Sequence, residues 1–192
     1  MPNSTKTEQK PPRDILYSIW GDKIGILPIN GGWGHTIENA VVINKNDPSI
    51  VDSQHFNGFE IENTFIKYRT YVEFIHNRVG KSNELAGIEF INKVQELITG
   101  KNSKIYDKVE VEIRALHFSD YELLKQEWDN NFNNNNFNKE EHMKKRDSQF
   151  IYEKRDFWFE ISSFYGTPVI WKISRILYDS KRKHIGYFKQ EY

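Results

Sequence analysis

The chain has 192 residues, of which 27 are basic and 27 are acidic, and it contains no cysteine. This length predicts one domain, large enough to bury a core without metals or disulfides. The charge balance argues against a general nucleic-acid binder, and the lack of cysteine excludes disulfides, thiol catalysis and cysteine-based zinc sites.

The N-terminal segment is polar and proline-rich. Residues 1–13 contain Pro2, Pro11 and Pro12 and lack the apolar core of a signal peptide, and no apolar run approaches the length of a membrane span. We therefore expect a disordered tail over 1–13, a single globular domain over 14–192, a cytoplasmic location and no contact with membranes.

The domain is predicted to begin with a hairpin that leads into a glycine-rich loop. Residues 15–20 and 24–29 are rich in β-branched and aromatic side chains, and 21–23 lie between them as a turn. Residues 40–43 are a short apolar run that predicts a buried strand, and 44–58 then form a long loop.

Two segments carry apolar residues at helical spacing. Those over 59–78 are Ile61, Phe65, Tyr68, Val72 and Ile75, and those over 83–99 are Ile88, Ile91, Val94 and Ile98. Both segments are predicted to be helices with one apolar face. The first is the clearer of the two, because Gly87 and the β-branched side chains weaken the second.

The second half of the chain is predicted to be mainly strand. Residues 109–116 alternate apolar and polar side chains, which indicates a strand with one wet face, and a short helix follows over 121–128. The asparagine-rich stretch 129–139 predicts a loop, and 150–163 alternate again. A C-terminal meander is expected next, with a helix over 168–178 as the rival. Together the elements predict an α+β fold: a mainly antiparallel sheet with two or three helices packed on one face.

The loop Gly31–Glu38 is the most unusual local feature. Three glycines surround Trp33, and this clustering indicates a backbone conformation that other residues cannot adopt, with Trp33 as its anchor. A phosphate-binding loop would need a following Lys-Ser/Thr pair, and a dinucleotide loop would need glycine where Ile37 stands. A nucleotide site here is therefore only an alternative, and no cofactor is expected.

Two ionisable residues follow the glycines. His35 and Glu38 are three residues apart, and on a helix they would share a face as an acid–base pair, which His55 could join through tertiary contact. The histidines show no metal-ligand spacing, so no metal site is predicted. His35, Glu38 and His55 are the candidate catalytic residues if the chain is an enzyme. The simpler expectation is that His35 bonds to the backbone.

Charge is unevenly distributed along the chain. Residues 107–127 carry six acidic and three basic side chains. Glu110 and Glu112 point the same way from the predicted strand, so they could dock a cationic partner. Arg69 and Glu73 form an i,i+4 pair that is typical of a solvated helix face, although Arg69 could instead reach into a pocket.

These features favour a non-enzymatic, cytoplasmic domain that binds another protein, with Trp33, Glu110 and Glu112 as candidate contact residues. Immunity proteins that neutralise bacterial toxins share this general character, so an immunity-type inhibitor is one hypothesis. The alternative is a small hydrolase or nucleotide-binding enzyme that uses the Gly31–Glu38 loop. A concave site joining His35 and Glu38 would favour the enzyme, whereas an exposed apolar patch would favour the binding protein. The oligomeric state is left open.

Overall fold

A computed structural model of the chain describes residues 10–50, 56–81 and 83–166. The helices and strands of this part of the chain are α1 (Pro12–Ile24), β1 (Ile29–Gly31), β2 (Val41–Ile43), α2 (Gly58–Phe74), β3 (Leu85–Thr99), β4 (Ile105–His117), α3 (Phe118–Asn131), α4 (Lys139–Gln149) and β5 (Ile151–Glu160).

The strands of the described residues form one sheet in the order β1-β2-β5-β4-β3. The contact between β2 and β5 is parallel, and the other three are antiparallel. Helices pack on this sheet. The predicted α+β fold with a mainly antiparallel sheet is therefore confirmed.

The main core lies between the sheet and α2. Phe65 of α2 meets Phe159 of β5 edge to face, with 5.7 Å between the ring centroids. The same cluster of buried side chains contains Val72, Phe74, Val109, Val111, Ile113 and Phe157. Because strand side chains alternate between faces, the intervening residues of β4 and β5 lie on the opposite face, which is polar and partly exposed.

The predicted strand over 15–20 is wrong, because this segment lies in α1. The helix begins at Pro12, whose fixed φ suits a first helical turn, so a proline assigned to the tail is a helix start signal. Leu16 is buried in the core, and Trp20 packs on Tyr68 of α2 with 5.0 Å between ring centroids. The predicted hairpin is also wrong, since β1 pairs with β2.

The predicted helix over 83–99 is wrong as well. Residues 85–99 form β3, which pairs antiparallel with β4. The two strands are joined by a tight turn in which the Gly100 amide donates to the Lys104 carbonyl at 2.8 Å. The apolar residues that match a helical period are β-branched, and such side chains favour a strand once a neighbouring strand supplies the pairing.

Five other predicted elements are confirmed. α2 covers most of the helix predicted over 59–78, and a 3₁₀ turn at His76–Arg78 follows it. β2 is the buried strand predicted over 40–43. β4, α3 and β5 correspond, with bounds shifted by a few residues, to the elements predicted over 109–116, 121–128 and 150–163.

The asparagine-rich stretch connects two helices. α3 runs to Asn131 and α4 begins at Lys139, so the connection occupies 132–138. Trp128 packs against both phenylalanines of the connection, with 5.2 and 6.0 Å between ring centroids. The connection is therefore anchored by its own aromatic side chains. The sequence patterns do not predict α4.

Several predictions fall outside the described residues. They are most of the 1–13 tail, the part of the 44–58 loop that contains His55, and the C-terminal meander with its helical rival over 168–178.

Candidate functional site

The Gly31–Glu38 loop joins β1 to β2, and its amide groups donate hydrogen bonds to acceptors within the same turn. Three successive amides, from Gly32 to Gly34, donate to the Ala40 carbonyl, the Asn39 side chain and the Asn39 carbonyl at 3.0, 2.7 and 2.6 Å. A phosphate-binding loop needs successive amides that point at the ligand. In this loop those amides already have acceptors within the chain, and the helix that follows is a single 3₁₀ turn.

Two glycines of the loop are needed for different reasons. Gly34 has a φ of +71°, and a Cβ there would lie 2.9 Å from the Trp158 carbonyl oxygen. The Gly34 carbonyl accepts a hydrogen bond from the Trp158 amide at 2.9 Å, so the loop continues the sheet beside β5. At Gly32 a Cβ would lie 1.3 Å from Asn39 Oδ1. The first glycine is required by its backbone conformation and the second by close approach.

Trp33 anchors the loop in the core. Its side chain is buried and packs on Phe65, with 6.4 Å between ring centroids. The indole N–H donates to the Lys10 carbonyl at 3.3 Å. The ring is therefore occupied inside the molecule, and it does not offer the contact surface expected from the sequence.

His35 lies against α2. Arg69 is only 1% exposed, and its guanidinium donates to Glu73 Oε1 at 2.7 Å, to the Gly34 carbonyl at 3.3 Å and to His35 Nδ1. Arginine only donates, so His35 Nδ1 is the acceptor and the neutral ring carries its proton on Nε2. That nitrogen is 3.8 Å from Glu73 Oε1. His35 thus helps to hold a buried cation, which stacks on Phe157 at 4.4 Å.

An open depression of about 340 Å³ lies beside His35 and the middle of β5. Its lining residues are His35, Arg69, Glu110, Lys154, Arg155 and Asp156. The ion pairs around it are Arg69–Glu73, Glu110–Lys154, Asp156–Lys108 and Arg155–Glu153. Because these pairs balance each other, the depression does not present an excess of one charge to a substrate.

Glu110 and Glu112 lie on the polar face of the sheet, where β5 neutralises them. Glu110 pairs with Lys154 at 3.1 Å, and Glu112 lies opposite Lys154 in the strand register. The hydrogen bond to Glu110 and the charges of both carboxylates raise the pKa of Lys154. Alternating ion pairs cross this face, so it is not the acidic patch that the strand sequence alone suggests.

The candidate catalytic residues are not brought together in the described part of the chain. Glu38 is exposed in the 3₁₀ turn, and the carboxylate that faces His35 is Glu73. His55 lies outside the described residues. The contact between His35 and Glu73 joins a loop to a helix, so spacing along the sequence could not reveal it.

A second charged cluster, which the sequence patterns do not predict, lies between α2 and the pair β3–β4. Glu62 and Asp107 are both buried. Burial, together with the neighbouring Asp107, raises the pKa of Glu62 to about 8, so Glu62 keeps its proton at neutral pH. Gln95 donates to Asp107 at 2.7 Å, and the Lys93 ammonium donates to Asn63 at 2.9 Å. Its two acids are buried while Gln95 is exposed, and none of these residues lines the depression.

Strand β3 exposes apolar side chains between residues 90 and 97. Phe90, Ile91, Val94 and Leu97 of β3 are between 40% and 54% exposed. Among the described residues β3 is terminal in the strand order, so every second N–H and C=O group faces away from β4. We call the outer side of residues 90–99 the β3 edge.

Comparisons with protein-family models, with curated proteins and with solved structures find no match to this chain. No helix in the described ranges combines the length and the apolar character needed to cross a bilayer. Within the same ranges, no group of three or more His, Asp or Glu side chains is arranged to hold a metal ion. The function is therefore inferred from the geometry of the chain itself.

Proposed function

We propose that the chain is a cytoplasmic, non-enzymatic protein-binding domain whose partner adds a strand to the β3 edge. In strand addition, main-chain hydrogen bonds provide affinity and alternate side chains provide specificity. The observation that carries the proposal is the 15-residue terminal strand with exposed Val94 and Leu97.

Within the β3 edge, residues 92–99 lack the bulges that keep many natural edges from pairing. Edge strands are usually short, bulged or guarded by charged side chains, and strands in general have about 3–10 residues. The register shifts of β3 end at Asn92, and residues 92–99 pair with β4 without interruption. The Lys93 ammonium is turned under the sheet, toward Asn63 and over the Phe59 ring at 4.6 Å.

The exposed side chains would contribute part of the binding free energy. Complete burial of a Val, Leu or Ile side chain contributes about 1.5–3 kcal/mol. Ile91, Val94 and Leu97 are each about half exposed, so covering them would contribute roughly 3 kcal/mol in total. Main-chain hydrogen bonds along the strand would add about 1 kcal/mol each.

The geometry gives less support to the enzyme alternative. The amides of the glycine loop donate within the chain, and His35 Nδ1 accepts from Arg69 instead of being open to a substrate proton. The immunity-type role expected from the sequence is one instance of the proposed function, and the identity of the partner decides it.

The test is affinity purification of the tagged chain from cells that express it naturally. Val94→Lys places a charge on the β3 edge, which disfavours the addition of a strand. Because Val94 lies opposite Glu110, the new ammonium has an intramolecular partner. We expect the free energy of unfolding to stay within about 0.5 kcal/mol of the wild type. We also expect the amount of partner protein that co-purifies with Val94→Lys to be at least tenfold lower than with the wild type.

Leu123→Lys is the matched control, because Leu123 is an exposed leucine on α3 rather than on β3. This variant should retain the partner at the wild-type level. Identical sets of co-purifying proteins from the wild type and both variants would overturn the proposal.

A further inference from the structure

We propose that the partner at the β3 edge is a second copy of this chain, paired antiparallel through β3 about a two-fold axis at Val94. The inference rests on the function proposed above and names its partner. A two-fold axis perpendicular to a continuous sheet pairs each residue with one on the same face, so one residue of the strand must lie opposite its own copy.

The charges of β3 restrict where this axis can lie. An axis at Lys93 places two lysines directly opposite each other, and an axis at Glu96 does the same with two glutamates. Like charges in opposed positions destabilise a sheet. An axis at Gln95 places Val94 opposite Glu96, so an apolar side chain meets a carboxylate.

The axis at Val94 gives the best match of side chains. Val94 then meets Val94, and Leu97 lies toward Ile91 of the second copy, at the register shift between Phe90 and Asn92, so exposed apolar groups cover each other. The charged residues Lys93 and Glu96 face the uncharged Gln95 and Asn92. Opposed apolar pairs of this kind are the units that stabilise antiparallel sheets.

The length and regularity of the strand also suit a self-pairing. Residues 92–99 are free of register shifts against β4, and the axis at Val94 pairs residues 92–96 of one copy with residues 92–96 of the other, within this stretch. The product would be one sheet in which the terminal strands β3 of both copies become central. Pairing of this kind removes the exposed edge altogether.

Disulfide trapping tests the axis directly, because the natural chain has no cysteine. In purified full-length protein under a mild oxidant, Val94→Cys should form a covalent dimer of twice 22.9 kDa. Glu96→Cys alone and Asn92→Cys alone should stay monomeric on denaturing gels. In this register each lies about four residues, or roughly 14 Å, from its own copy, which is too far for a disulfide.

A mixture of the Asn92→Cys and Glu96→Cys proteins should cross-link, since these two positions are opposed. This mixed pair keeps the proposal testable if Val94→Cys fails to fold. Light scattering during size exclusion should give the dimer mass for the wild type and for Leu123→Lys, and the monomer mass for Val94→Lys.

Three results would overturn the inference. A wild-type monomer across a dilution series excludes self-pairing, and a dimer that Val94→Lys leaves intact excludes pairing through β3. Cross-linking of Glu96→Cys alone, without the mixed pair, excludes the axis at Val94. If the purified chain is monomeric but Val94→Lys still loses a partner from cells, this inference fails and the proposed function stands. If neither effect is seen, both fail.

Discussion

Among the described residues, the two edges of the sheet are very different. β1 has three residues, and its first, Ile29, is buried in the same core cluster as Leu16 of α1. β3 has 15 residues and carries exposed apolar side chains over its second half. Because unpaired main-chain groups increase with strand length, most of the capacity of this sheet for further pairing lies at β3.

The charged residues of α2 follow the same division. On the side of the glycine loop, Arg69 is a buried cation that donates to Glu73, to Gly34 and to His35. Two helical turns earlier, Glu62 is buried beside the buried Asp107 of β4. On the loop side, therefore, the buried charge is neutralised by hydrogen bonds and an ion pair, whereas on the β3 side a buried acid lies beneath the strand that ends the sheet of the described residues.

The largest expected effect is at Arg69. Arg69→Met should reduce the free energy of unfolding by about 3–5 kcal/mol, because Glu73 loses its buried partner and the Gly34 carbonyl loses a donor. Urea denaturation measures this. Lys67→Met, on the exposed side of the same helix, is the control and should change stability by less than about 0.5 kcal/mol. Equal effects of the two variants would remove the contrast between the two sides.

The next effect depends on pH and concerns Glu62. Its folded pKa of about 8 lies above the ordinary value of 4.5, so the folded state binds more protons than the unfolded state between these values. Stability therefore falls as pH rises through this window and levels off above it. Glu62→Gln keeps the shape of the protonated side chain and removes the ionisation.

We expect Glu62→Gln to match the wild type near pH 4 and to be more stable by several kcal/mol at pH 9. Thermal or urea unfolding across this pH range measures the difference. Glu60→Gln, at an exposed position of the same helix, should show no such trend. A constant difference between Glu62→Gln and the wild type at all pH values would contradict the protonated state assigned to Glu62.

The smallest of these effects separates backbone strain from steric contact in the glycine loop. Gly34→Ala should cost about 2–3 kcal/mol, because φ is +71° and the new Cβ would press on the Trp158 carbonyl. Gly80→Ala has the same φ of +71° with no atom within 4 Å of the Cβ, so it should cost only about 1 kcal/mol. Similar melting temperatures for the two variants would show that the contact with β5 contributes little.

Helix α2, strand β4 and strand β5 could be predicted because their apolar residues keep one period over many residues. Periodicity gave the wrong element where the apolar residues of one segment fit both a helical and a strand period. Residues 15–20 are β-rich in composition, yet Pro12 begins a helix there. Residues 85–99 match a helical period, yet their β-branched side chains pair with β4 across the turn at Gly100.

The candidate sites divide in a similar way. The sequence marked the glycine loop as conformationally special, and Gly34 has the positive φ that this requires. It also placed Glu110 and Glu112 on a common face, but it could not show that Lys154 lies across from both of them. Which strand stands beside another depends on contacts between distant segments, and no local pattern encodes them.

By itself, then, the sequence determined the fold class, the apolar face of α2 and the need for glycine in the loop. These follow from residue chemistry and from periodicity over short distances. Only the tertiary structure decided that Trp33 is buried, that His35 faces Arg69 and Glu73, and that β3 is the terminal strand of the described residues. An edge exists only relative to the strands that are paired, so the surface proposed for binding could be recognised only once the strand order was known.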